Sequence, residues 1–390
     1  MISRLRNTLT LLCWMLAVSL PTSAAFASTN VSELMAQGNL LRLQGDMAAA
    51  NQIRDQIRAS APNDPASYAF NLNTIVTELS WEESQTQFDE ALVRDAEKLI
   101  ELCEDGVISQ ADISNPDYYC GQAHFSLSYF NGIRGNLISA GRHGTTAIEY
   151  MEQALEQDPD LMRAKMYLGI AYYYADNLPP FIKLFSRLLW FIPSGSSEKS
   201  LPYLREVMAS DDRFNDVARY IYATLLINGT AEELKEALSE IEILLAKYPE
   251  NVRFQLRYVS IIQGDGRYQE TLNSIEKFLA SDAGQQLDMI NSNLLNIWLA
   301  RANLGLNRLA EANRVQNMIH FDPENTTVPA WGLAWFELTS GQLADLAGAR
   351  AKAREAYNNI LELERRTFVN PSIVALAEQY LDTPYAGTGP

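Results

Sequence analysis

Histidine and cysteine are scarce in this chain. Its 390 residues include three of each. His124, His143 and His320 form no pair at metal-ligand spacing on one helix, and the thiol spacing excludes a CxxC redox or zinc site. No GxSxG, HExxH, P-loop or dinucleotide-binding GxGxxG context occurs, nor does a calcium-loop ligand pattern. The expectation is a protein that is not an enzyme, with no catalytic residues, no metal site and no cofactor. Positive charge is also short: 31 Lys and Arg stand against 48 Asp and Glu, a net charge of −17. Nucleic acid needs a basic footprint and is excluded as a partner, and broad adhesion to anionic lipid is disfavoured. Long apolar runs are missing as well. The longest, residues 9–20, falls short of the roughly 20 residues a spanning helix needs. Strand-type alternation is nearly absent.

What the first residues do contain is an export signal. Arg4 and Arg6 precede the apolar run, Pro21 breaks it, and Ala25-Phe26-Ala27 is a small-residue cleavage site. That order reads as a signal peptide over 1–27, cleaved after Ala27, with export to the periplasm. Cys13 lies inside the apolar run after Leu12, so it is no lipoprotein cysteine. Cys103 and Cys120 remain. In an oxidising compartment they read as one disulfide across the loop around Asn115 and Pro116. Two buried free thiols are the other reading.

Residues 28–383 read as helix after helix, with 384–390 as a flexible tail. The 34-residue unit 31–64 places Gly38 and Leu41 in a first helix, Gly45-Asp46 at a turn, Ala50 in a second helix and Pro62 after it. Small residues at such positions let two antiparallel helices approach and stack on the next pair. Further pairs are expected at 65–80 with 82–104, with Ser80 as an N-cap, and at 116–140 with 145–157. Others are 217–226 with 231–248, two helices within 252–281, 294–305 with 309–320, and 329–339 with 343–365. A capping helix is expected at 371–381. No Pro/Ser/Gly-rich linker divides them, so one continuous array of about eight pairs is expected.

The placement of Gly, a large residue, Ala and Pro resembles the tetratricopeptide repeat (TPR). Ala147, Met151, Ala154 and Pro159 fall at second-helix offsets, and Leu168, Gly169 and Tyr172 match the first-helix signature. The segment from Tyr119 to Arg205 is similar to exported bacterial TPR proteins. More remotely, it is similar to TPR proteins of the inclusion body clearance family, which also set a Pro-containing apolar insert after a Tyr-rich helix. The resemblance implies an all-α solenoid and an adaptor-like or unknown role, with no catalytic residues.

Two constellations are candidates for binding. The first is polar: Asn131, Arg134, Asn136, Arg142 and His143, with Tyr172 and Tyr173 on the following first helix. In a repeat groove Asn and Arg can clamp a peptide backbone or carboxylate. Equally, they can fix turns and satisfy helix ends. The second is the stretch 178–192. Phe181, Phe185, Leu188 and Ile192 share one helix face, Lys183 and Arg187 share another, and Trp190 and Phe191 widen the apolar arc. In the preferred register 179–192 is an inserted helix and 197–208 is the true partner of the Leu168 helix. Core packing is the plain reading of the insert; a partner-docking or membrane-surface helix anchored by Trp190 is the functional one. The expected function is a periplasmic adaptor holding a protein or peptide in its groove. The alternative is a membrane-surface or lipid-related factor using the 179–192 helix.

Overall fold

The protein was analysed as a computed structural model, which describes residues 24–106, 115–176, 197–227, 229–321, 328–367 and 369–387. The described residues form eighteen helices and no strand. They are α1 Ala24–Gln44, α2 Met47–Ser60, α3 Pro65–Trp81, α4 Asp89–Glu104, α5 Pro116–Ile133 and α6 Leu137–Gln157. Next come α7 Met162–Asp176, α8 Ser197–Ala209, α9 Asn215–Leu226, α10 Ala231–Lys247, α11 Val252–Gly264 and α12 Tyr268–Leu279. The chain ends with α13 Asp282–Gln285, α14 Met289–Gly305, α15 Leu309–Gln316, α16 Ala330–Leu346, α17 Arg350–Glu364 and α18 Pro371–Asp382.

Each helix packs mainly on its neighbours in sequence: α1 on α2, α5 on α6, α7 on α8, α9 on α10, α16 on α17. Helices not adjacent in sequence also touch, as in α3 with α5, α11 with α14 and α14 with α16. Buried side chains run through these seams as successive apolar clusters. Leu72, Leu92, Leu99 and Leu127 join α3, α4 and α5. Met151, Leu168, Leu204, Tyr222 and Ile241 continue the core from α6 to α10. Leu294 and Ile297 anchor α14, and Tyr357, Ile360 and Ala377 close the last three helices. Local chemistry sets many helix starts. Asp46 caps α2 through Ala49 N at 2.9 Å, and Thr230 with Glu233 forms a capping box on α10.

Several expected boundaries move. Ser80 is no N-cap: α3 runs on through Trp81, and Ser80 Oγ donates back to Thr77 O at 2.9 Å. Trp81, the last residue of α3, meets the Trp331 ring edge-on at 5.7 Å, and residues 82–88 form the loop before α4. The long helix expected over 116–140 ends at Ile133. The turn forms at Gly135, whose φ of +77° suits a residue without Cβ, while Gly141 and Gly144 lie inside α6. The turn after α16 falls at Gly348 rather than near residue 340, and α14 begins at Met289. The preferred register holds where it is described: α8 packs on α7, and Ser200 Oγ donates to Gly169 O at 2.7 Å. Residues 1–23, with most of the expected signal peptide, and 177–196, with the expected insert, lie outside the described residues.

The array also returns to its own beginning. Asn251 caps α11 through Arg253 N at 2.9 Å, and its amide donates to the α1 carbonyl of Leu43 at 2.9 Å. Gly45 lies against that junction. Its φ is +89°, and a Cβ there would stand 3.1 Å from Asn251 Cα. Arg253 pairs with Glu78 of α3 at 2.9 Å and stacks over Trp81. Glu82, 3% exposed, accepts from Ala330 N at 3.0 Å and so caps α16.

Candidate binding site

The polar constellation sits at the α5–α6 turn. Arg134 donates to both oxygens of Asp89, at 2.8 and 2.7 Å, to Glu83 O at 2.5 Å and to Gln85 O. These bonds hold the guanidinium's pKa above its ordinary value, the Asp89 bond foremost. Asn131 donates to Leu127 O at 2.8 Å within its own helix. Asn136 is exposed at the N-cap of α6, with no side-chain capping bond. Arg142 is exposed on α6. Tyr172 is 3% exposed and donates to Glu152. Tyr173, half-buried, donates to Leu225 O at 2.8 Å. The turn therefore brings Asn131, Arg134 and Asn136 together, while the two tyrosines fasten α7 to α6 and α9.

Three neighbours in this region were not legible as site residues. Leu137 and Ile138, at the start of α6, are 46% and 57% exposed, and Tyr174, at the end of α7, is 57% exposed. Tyr174 lies within electrostatic reach of Glu83, the residue whose carbonyl Arg134 engages. Helical period would place these apolar residues in a core; only the tight turn at Gly135 rotates Leu137 and Ile138 outward.

Behind the turn, His124 of α5 and His143 of α6 meet with Nδ1 atoms 2.9 Å apart, and Tyr150 stacks on His124. Burial, then the neighbouring His143, pushes the His124 pKa down to about 4. Burial also lowers His143. Cys103 and Cys120 face each other at disulfide distance, S–S 2.17 Å, tying α4 to α5. No group of three or more His, Cys, Asp or Glu side chains able to hold a metal occurs among the described residues. Phe181, Lys183, Phe185, Arg187, Trp190 and Phe191 lie outside the described residues.

A second region is a half-open pocket. Where the array returns to its start, a cavity of about 140 Å³ opens between α1, α3, α7, α9 and α11. Trp81, Met166, Phe214, Val217 and Phe254 supply apolar wall, and Asn39, Arg42, Asn73, Asn251 and Arg253 supply polar groups. Among the described residues no Asp or Glu lines it. Arg42 is half-buried; burial pushes its pKa down to about 10, opposed by Tyr167 and Glu78. Its direct partners are neutral: Asn39 Oδ1, Thr74 Oγ1 at 3.4 Å, and the Phe70 ring at 4.9 Å. No sequence signal marks Arg42, because the residues that enclose it come from four other helices. A wider groove of about 660 Å³ along α4 is open and lined by both charge signs, including the Lys98–Glu101 pair.

No helix among the described residues is long and apolar enough to cross a membrane. No family profile and no curated protein matches the chain.

Proposed function

We propose that this protein is an exported, non-catalytic adaptor: a TPR-like solenoid that holds a protein or peptide partner. Serial packing of neighbouring helices supports the solenoid reading. A cysteine pair at disulfide distance fits an oxidising compartment such as the periplasm. The observation that carries the adaptor reading is the α5–α6 turn. It turns Leu137 and Ile138 to solvent beside Asn136, on a backbone pinned by the four acceptors of Arg134. Exposed apolar side chains on a rigid support bind with little ordering cost. Arg134 thus acts as the support of the docking surface rather than as a clamp on the partner.

The test is cross-linking in the cell with mass spectrometry, using a photoreactive residue at Asn136. Parent protein should capture a defined partner, and Leu137→Ser/Ile138→Ser should lose it while keeping its helical content. A double variant that keeps every cross-linked partner would remove this surface from consideration.

A further inference from the structure

Buried charge is tolerated when it is compensated. Around this cavity two arginines share one nearby carboxylate among the described residues. Glu78 pairs with Arg253 at 2.9 Å, whereas among the described residues Arg42 directly contacts an amide, a hydroxyl and an aromatic face and feels Glu78 only at longer range. One positive charge is therefore left over, in a chain whose net charge is −17. It sits beside a cavity whose remaining walls are largely apolar. We propose that this cavity is a binding site for a small organic carboxylate: one anionic head on Arg42 and an apolar body against Trp81, Phe254 and Val217.

The chemistry narrows the ligand. A planar guanidinium fork matches a carboxylate in a bidentate pair. Asn39, which now accepts from Arg42, offers an amide Nδ2 as a further donor to the same head. A single surplus charge fits a monoanion better than a phosphate ester, which carries about two charges and needs more donors. The volume fits a compact body, since a dry cavity of about 150 Å³ accommodates benzene. An extended chain is disfavoured by the closure of the array. Asn251 on Leu43 O, Arg253 on Glu78 and Trp81 on Trp331 link α1 and α3 to α11 and α16 across the interior. This inference is independent of the docking surface at the α5–α6 turn, so failure of either leaves the other standing.

The experiment is binding by saturation-transfer NMR and calorimetry on the folded protein, with three probes. They are 3-phenylpropionate, its neutral amide, and a pentapeptide ending in a free phenylalanine carboxylate. The acid should bind at millimolar concentration or below, and the amide should bind at least about tenfold more weakly, the worth of one charge-assisted pair. Arg42→Met should lose the acid by a similar factor and Arg42→Lys should restore part of it. Val217→Trp, which fills the cavity and leaves Arg42 in place, should abolish binding; thermal melts check that each variant is folded. Equal binding of acid and amide would overturn the proposal, as would parent-like binding by Arg42→Met or no binding of the acid. Binding of the pentapeptide without the free acid would overturn it in favour of a chain terminus.

Discussion

Arg134 and Asp95 show what a charged side chain does when its surroundings are assembled by several helices. Arg134 spends its guanidinium on Asp89 and two backbone carbonyls, in keeping with the turn-fixing reading that residue type allowed beside a ligand clamp. Removing it as Arg134→Ala should cost about 1–2 kcal/mol in denaturant unfolding, as several charge-assisted bonds to a half-buried group would. Partner capture should weaken with the loosened turn. Asp95 is fully buried beside Arg58, Arg94 and Asn71. Burial alone would raise its carboxyl, but the bonds from Arg58 and Asn71 outweigh this and hold it below its ordinary value. A depressed carboxyl contributes stability above its unfolded pKa, about 3.9, that is lost as pH falls through the folded value. Asp95→Asn should therefore cost about 2 kcal/mol near neutrality, less than a fully buried pair because Arg58 is one-third exposed. The difference between parent and variant should shrink below about pH 4.

Helices α4, α5 and α6 carry the Cys103–Cys120 and His124–His143 pairs on their shared seams. The Cys103–Cys120 link closes a loop with a sequence separation of 17. Reducing it, or replacing both cysteines by serine, should destabilise the protein by about 3 kcal/mol in the chain-entropy account. The His124–His143 contact favours neutral rings. Folded pKa values below the unfolded 6.5 mean that this contribution is complete above about pH 6.5 and is lost as pH falls toward about 4. Thermal melts across that window should show a decline that His124→Phe/His143→Phe flattens. Much of this element scale was legible. The helix order and the turn at Gly45 follow from period and turn chemistry, and the cysteine pair was one of two readings the compartment argument allowed. The errors came where several turn residues competed. Between residues 132 and 144 four glycines offered a break, and packing of α5 against α6 selected Gly135. At Ser80 a correct local capping signal lost to the contact of Trp81 with Trp331.

Across the whole molecule the decisive feature is the closure of early helices onto late ones. Trp81 sits at its centre, between Arg253 and Trp331, and Glu82 beside it caps α16 through Ala330 N. Trp81→Ala should cost about 2–3 kcal/mol, below the ~3–5 of a fully buried aromatic because Trp81 is half-buried. It should also open the array, seen as a larger radius of gyration in small-angle scattering. An unchanged radius would mean that the remaining contacts, Asn251 on α1 and Arg253 on Glu78, suffice to keep it shut.

By itself, the sequence determined that this is an all-helical chain and roughly where its helices turn. Those properties depend on hydrophobic period, capping and glycine conformation, which act over a few residues. Only the tertiary structure decided which groups Arg134 holds, that Leu137 and Ile138 face solvent, and that Arg42 borders a half-open cavity. The last depends on small rotations summed over many helix pairs. Residues some 175 to 248 positions apart then come within hydrogen-bonding reach, as Arg253 does with Glu78 and Ala330 with Glu82. No local pattern encodes that sum.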